Sequence, residues 1–62
     1  MSKDLSVEAQ KAISAELKLQ SYYRKMEGQA TNPKVKAVLH DLLLMEEMNE
    51  VLLRSLHDNL TS

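Results

Sequence analysis

Apolar residues recur along two stretches of the chain at spacings of three and four. The first runs through Ala9, Ala12, Ile13, Leu19, Tyr23, Met26 and Ala30, and the second through Val35, Val38, Leu39, Leu42, Met45, Leu52, Leu53, Leu56 and Leu60. Positions so spaced share one face of an α-helix. Strand signals are missing, and Leu, Ala, Glu, Lys and Met dominate both stretches. The two patterns predict one helix over roughly 6–29 and another over roughly 33–59, with a turn at about 28–32. Asn32 is suited to cap the second helix, with Pro33 at its first position. Gly28 permits the left-handed geometry that often ends a helix, though a helix can also run past it. Ser6 or Asp4 can cap the first helix, with Glu8 in its first turn.

A connection this short makes the helices antiparallel neighbours, so the whole chain, 1–62, is expected to form one all-α helical hairpin. Such a hairpin has no closed core. The second helix also carries Leu43, Leu44, Met48 and Val51 beside its main stripe, an apolar arc too wide for one partner helix. These four residues are the expected oligomer interface. A second hairpin laid against the first would complete a four-helix bundle, so the expected partner is a second copy, in a homodimer or a larger assembly built from dimers.

Size strengthens that expectation. At 62 residues the chain is near the limit for independent folding, and it has no cysteine to form disulfides or thiolate metal sites. Association, or a metal held by oxygen or nitrogen ligands, is what remains. Net charge is −1, without the basic face of a nucleic-acid reader. Lys11, Lys18 and Lys25 recur every seven residues and read as a solvated outer face. No apolar run approaches the ~20 residues of a membrane span. The opening MSKDLS lacks the apolar segment of a secretory signal, so the expected location is the cytoplasm.

Three polar residues interrupt the stripes. Glu16 falls on the first, and Glu46 and Asn49 on the second. Glu16 and Glu46 each stand fifteen residues from Thr31, the middle of the connection, so they are expected to face each other across the hairpin. A two-fold dimer would gather two copies of each with two Asn49. Neither stripe carries a Lys or Arg to balance those carboxylates, which leaves protonation, trapped water or a bound cation. Bundle cores build two-metal sites from a Glu on each of two helices and Glu-x-x-His on the other two. Here the corresponding elements are Glu16 and the Glu-x-x-Asn of "EEMN".

The segment from Ala12 to Leu56, about three quarters of the chain, resembles one half of a rubrerythrin-type ferritin-like domain. The features that carry the resemblance are Ala12 and Glu16, the pair Tyr22 and Tyr23 with Arg24, the helix opening "NPKVKAVL", and "MEEMNEVLL". The chain is also similar to the short two-helix encapsulated ferritins, which complete their metal site only on association. The resemblance implies a ferritin-like four-helix bundle that binds iron or manganese through Glu16, Glu46 and Asn49, with Glu50 as a further candidate ligand. The family's histidine is Asn49 in this sequence. An amide oxygen is a weaker, harder ligand than imidazole, and the set moves toward oxygen-preferring ions such as Mn²⁺, Mg²⁺ or Ca²⁺ and away from ferroxidase or peroxidase chemistry.

Plainer readings stand beside these. Glu16 and Glu46 could be a relic pair without metal, or boundary residues facing solvent. Asn49 could set helix register instead of binding metal. Glu50 could pair with Arg54 at i+4 on the outside, and Glu47 reads as solvated. Tyr23 could hydrogen-bond Glu16 or Glu46 in a supporting role. His40 and His57 stand six residues before and eleven after Glu46, the wrong spacing for ligands on one helix face. No nucleophile–base set or phosphate loop is present, so a nucleophilic enzyme is not expected, and enzyme activity of another kind stays open. The alternative function is a metal-free structural or protein-interaction module that keeps the same hairpin.

Overall fold

The computed structural model describes residues 2–61; the terminal residues Met1 and Ser62 of the expected 1–62 hairpin lie outside the described residues. Helix α1 spans Ser2–Gln29 and helix α2 spans Pro33–Thr61, packed against each other. At about 1.5 Å per residue, helices of this length make a rod, and the molecule measures 46 × 14 × 12 Å.

The turn forms as its residues dictate. The Asn32 side-chain Oδ1 accepts hydrogen bonds from the backbone N–H of Lys34 at 2.8 Å and of Val35 at 3.3 Å. Its carbonyl accepts from Lys36 N–H at 3.0 Å, the first helical bond of α2. Asn32 therefore satisfies N–H groups that would otherwise lack partners at the helix start, beside a proline that has no N–H to satisfy. Gly28 does not end α1. No glycine among the described residues has positive φ, and Ala30 N–H still donates to the Met26 carbonyl at 2.9 Å. The start of α1 differs from expectation: the helix begins at Ser2, so Asp4 and Ser6 stand inside it and do not cap it. Asp4 lies in the first turn, where the exposed N–H groups favour a negative charge.

The seam between the helices holds few large apolar groups. Ala9 and Leu39 are the buried apolar residues among those described, joined by half-buried Ala12, Ile13, Leu42, Leu43, Leu53 and Leu60. The middle of the seam is polar. Gln20 is buried, and Glu16, Glu27, Glu46, Glu47 and Glu50 are half-buried. Among the described residues, fourteen large apolar side chains remain exposed, and where they are contiguous they mark surface suited to association.

Exposure also sorts the expected stripes. Leu19, Met26, Val35, Val38, Met45, Asn49, Leu52 and Leu56, all placed on the buried stripes by spacing, are exposed in the hairpin. The seam uses the positions next to them: Gln20 and Glu27 in α1, and Leu43, Glu50 and Leu53 in α2. Other stripe residues, among them Ala9, Ala12, Tyr23, Leu39, Leu42 and Leu60, do lie in the seam. The contact therefore departs from the stripes by one position only in places, as at Leu19 and Gln20, Met26 and Glu27, and Asn49 and Glu50. The heptad lysines Lys11, Lys18 and Lys25 are exposed.

Candidate carboxylate site and the two flanks of the hairpin

The seam's polar centre is organised by Gln20. Its Nε2 donates to Glu50 Oε1 at 2.8 Å and approaches the Glu46 carbonyl at 3.5 Å, while its Oε1 accepts from Arg24 at 3.4 Å. Arg54 Nε donates to the other Glu50 oxygen at 2.8 Å. The Gln20 hydrogen bond first, and Arg54 second, hold the Glu50 carboxyl below its usual range. Glu50 therefore pairs with Arg54, but from inside the seam: its side chain is 20% exposed. Both Glu50 oxygens are thus hydrogen-bonded within the hairpin, one to each partner. Gln20 had no role in the sequence reading. Its signal was present in the spacing, since it stands four residues from both Glu16 and Arg24 and seven from Ile13 and Glu27.

Glu16 and Glu46 both lie in the seam, half-buried. Each has one carboxylate oxygen, Oε2, enclosed without a hydrogen-bond partner. Their expected face-to-face pairing is altered by the direction of helical side chains, which lean toward their own helix N-terminus. In an antiparallel pair, α1 side chains lean away from the turn and α2 side chains lean toward it. Contacts accordingly join α1 residues to α2 residues farther from the turn, as in Gln20 with Glu50 and Arg24 with Glu47. By the same lean, two carboxylates whose backbones are level would be directed apart along the seam. Among the described residues, no group of three or more His, Cys, Asp or Glu side chains gathers where it could hold a metal ion. One hairpin alone does not assemble the ligand set.

Asn49 is exposed and stands outside the seam. Tyr23 is half-buried within it, and no hydrogen bond joins its hydroxyl to Glu16 or Glu46 among the described residues. Of the expected interface residues, Leu44, Met48 and Val51 are exposed, at 50%, 67% and 66%. Leu43 is half-buried between the helices and is already in use. Glu47 is less solvated than expected, because it forms an ion pair with Arg24 at 3.3 Å. His40 Nδ1 stands 3.9 Å from Glu27, and the Nε2 of half-buried His57 is enclosed without a partner.

The grooves on the two flanks of the hairpin differ in chemistry. One is lined by Leu5, Glu8, Ala9 and Ala12 of α1 and Leu53, Leu56 and Leu60 of α2. The other is lined by Gln10, Ile13, Ser14 and Leu17 with Arg54 and His57. Successive residues turn by about 100° around a helix. Leu19, Tyr22 and Met26 therefore extend the apolar flank along α1, and Val38, Met45, Asn49 and Leu52 extend it along α2. The ion pairs Arg24–Glu47, His40–Glu27 and Arg54–Glu50 belong to the other flank.

No protein-family model, curated protein or solved structure matches this chain. No helix among the described residues is long and apolar enough to cross a membrane.

Proposed function

We propose that this chain acts as a homodimeric, ferritin-like four-helix bundle that binds a divalent cation of the iron or manganese class through Glu16 and Glu46 of both copies. The observation that supports this reading is that Glu16 and Glu46, like Glu27 nearer the turn, each enclose a carboxylate oxygen without a partner. A buried carboxylate oxygen without a donor is costly, and a cation is the partner that best offsets the charge. Symmetry doubles the set to four carboxylates, which one hairpin cannot supply. Asn49 lies on the flank that a second copy would cover, so its amide oxygen would join the interior on association. The cation would supply charge neutralisation and an oxygen-rich coordination site. Glu50, held in the seam by Gln20 and Arg54, would stay a further candidate ligand through its remaining lone pairs.

Elemental analysis of protein purified without chelator tests this. About one metal per chain is expected, with loss of that metal in Glu16→Ala. Wild type should also melt higher with added Mn²⁺, by mass action, and Glu46→Leu should lose that gain. Unchanged melting of wild type with Mn²⁺ and Fe²⁺, and no metal by analysis, would sink the cation site. The second reading, a metal-free interaction module, is favoured by the exposed apolar flank, and it expects Glu46→Leu to be neutral or stabilising whether or not metal is added.

A further inference from the structure

We infer that the apolar flank is the dimer interface, that its occupant is a second copy of this chain, and that the two-fold axis passes beside Asn49. This rests on the self-association proposed above, but not on the cation.

Surface area identifies the kind of occupant. A compact monomer of 7.1 kDa would expose about 4100 Å². The hairpin exposes 4806 Å². Eight large apolar side chains of this flank, from Leu5 to Leu56, remain 37% to 62% exposed. At roughly 60–100 Å² each, they offer on the order of 700 Å² per copy. A standard stable interface takes about 800 Å² from each partner, so one flank laid on another is of the right size. A patch this large also exceeds what a monomer commonly leaves exposed. The groove on the opposite flank carries one exposed large apolar side chain, Leu17, beside Gln10, Ser14, Arg54 and His57, while exposed Leu44, Met48 and Val51 line neither groove.

The pattern within the flank locates the axis. Val38, Leu42, Met45, Asn49, Leu52 and Leu56 alternate steps of four and three, the spacing of a helix–helix seam. Asn49 is the one polar member. Buried against an apolar neighbour, its amide would lose its hydrogen bonds to water without replacement. Beside a two-fold axis it meets the same amide of the other copy, and each supplies a donor and an acceptor. Asn49 also stands near the middle of α2, which spans Pro33–Thr61, so an axis there overlaps two α2 helices over most of their length. A lone amide in an apolar seam then fixes one register over its alternatives.

The test uses the intact chain in EDTA, which separates association from cation binding. Sedimentation of the wild type should show dimer. Leu52→Lys should weaken association by at least about 100-fold, since each dimer would bury two uncompensated charges, whereas Leu17→Lys on the opposite flank should leave it unchanged. The chain has no native cysteine, so Asn49→Cys gives a clean second readout. Mild oxidation should convert it to a disulfide-linked dimer, because side chains at the axis fall within bonding reach, while Ser14→Cys should stay unlinked. A dimer broken by Leu17→Lys and indifferent to Leu52→Lys would overturn the flank assignment while leaving self-association in place. A dimer sensitive to Leu52→Lys in which Asn49→Cys does not cross-link would overturn the axis. A monomeric wild type at all concentrations would overturn the self-association itself.

Discussion

The two flanks of the hairpin are made by the same two helices and follow opposite rules. On one flank polar groups meet across the helices, Arg24 with Glu47 and Gln20 with Glu50, and Arg54 joins Glu50 from the same helix. On the other, Leu, Met and Val side chains lie open, with Asn49 among them. Glu16 and Glu46 lie in the seam between these regimes, each with an enclosed oxygen that nothing in the hairpin satisfies. The ionic flank meets most of its polar groups within one chain, with Glu27 Oε2 and His57 Nε2 as exceptions, and the apolar flank is left open. The seam carboxylates then belong to a site that only a second copy could complete.

Several changes would break or sharpen this contrast. The largest effect within one chain is expected at Gln20. Removing its side chain in Gln20→Ala takes away the donor to Glu50 and opens a gap at the most buried polar position. A loss of about 1–3 kcal/mol in urea unfolding is expected. Loss near zero would mean that the ionic flank does not stabilise the hairpin.

Acid should act on the same flank. The Glu50 carboxyl is held below its ordinary 4.5, first by Gln20 and then by Arg54. A depressed folded value means that the unfolded chain binds the proton more readily. The stabilising contribution is complete at neutral pH and is lost as pH falls through the lowered value. Thermal melts from pH 7 down to pH 3 should show this loss, and Gln20→Ala should lessen it. Equal acid sensitivity in both proteins would separate Glu50 from the effect.

The smallest change touches neither flank. A methyl group at Gly28 would meet nothing, and the residue is helical. Gly28→Ala should stabilise by about 0.5–1 kcal/mol through helix propensity, without altering association. An altered oligomeric state would show that the end of α1 contributes to the interface.

Much of this architecture is legible in the sequence, and the parts that are not have physical causes. The cap at Asn32 and Pro33 is read correctly because it depends on local chemistry alone. The end of α2 comes within two residues of expectation, at Thr61 instead of 59. The local departure of the seam from the stripes is different in kind. Apolar spacing marks the direction in which a helix will be covered by all its neighbours. In a two-helix hairpin that direction falls between the sister helix and the open side. Asn49 and Glu50 therefore exchanged places: the amide on the stripe is exposed, and the carboxylate beside it lies in the seam. Gln20 shares the helical spacing of Glu16, Arg24 and Glu27, but those neighbours are polar too, so no apolar stripe marked its face as buried. The lean of Glu16 and Glu46 along the seam could not be read from counting residues to the turn, because that places backbones and not carboxylates.

The most direct measurement is native mass spectrometry of the intact protein, purified without chelator and incubated with Mn²⁺. A species of two chains carrying manganese, reduced to two metal-free chains by Glu16→Ala, is the predicted result. A single metal-free chain across the accessible concentration range would contradict both the dimer and its cation site.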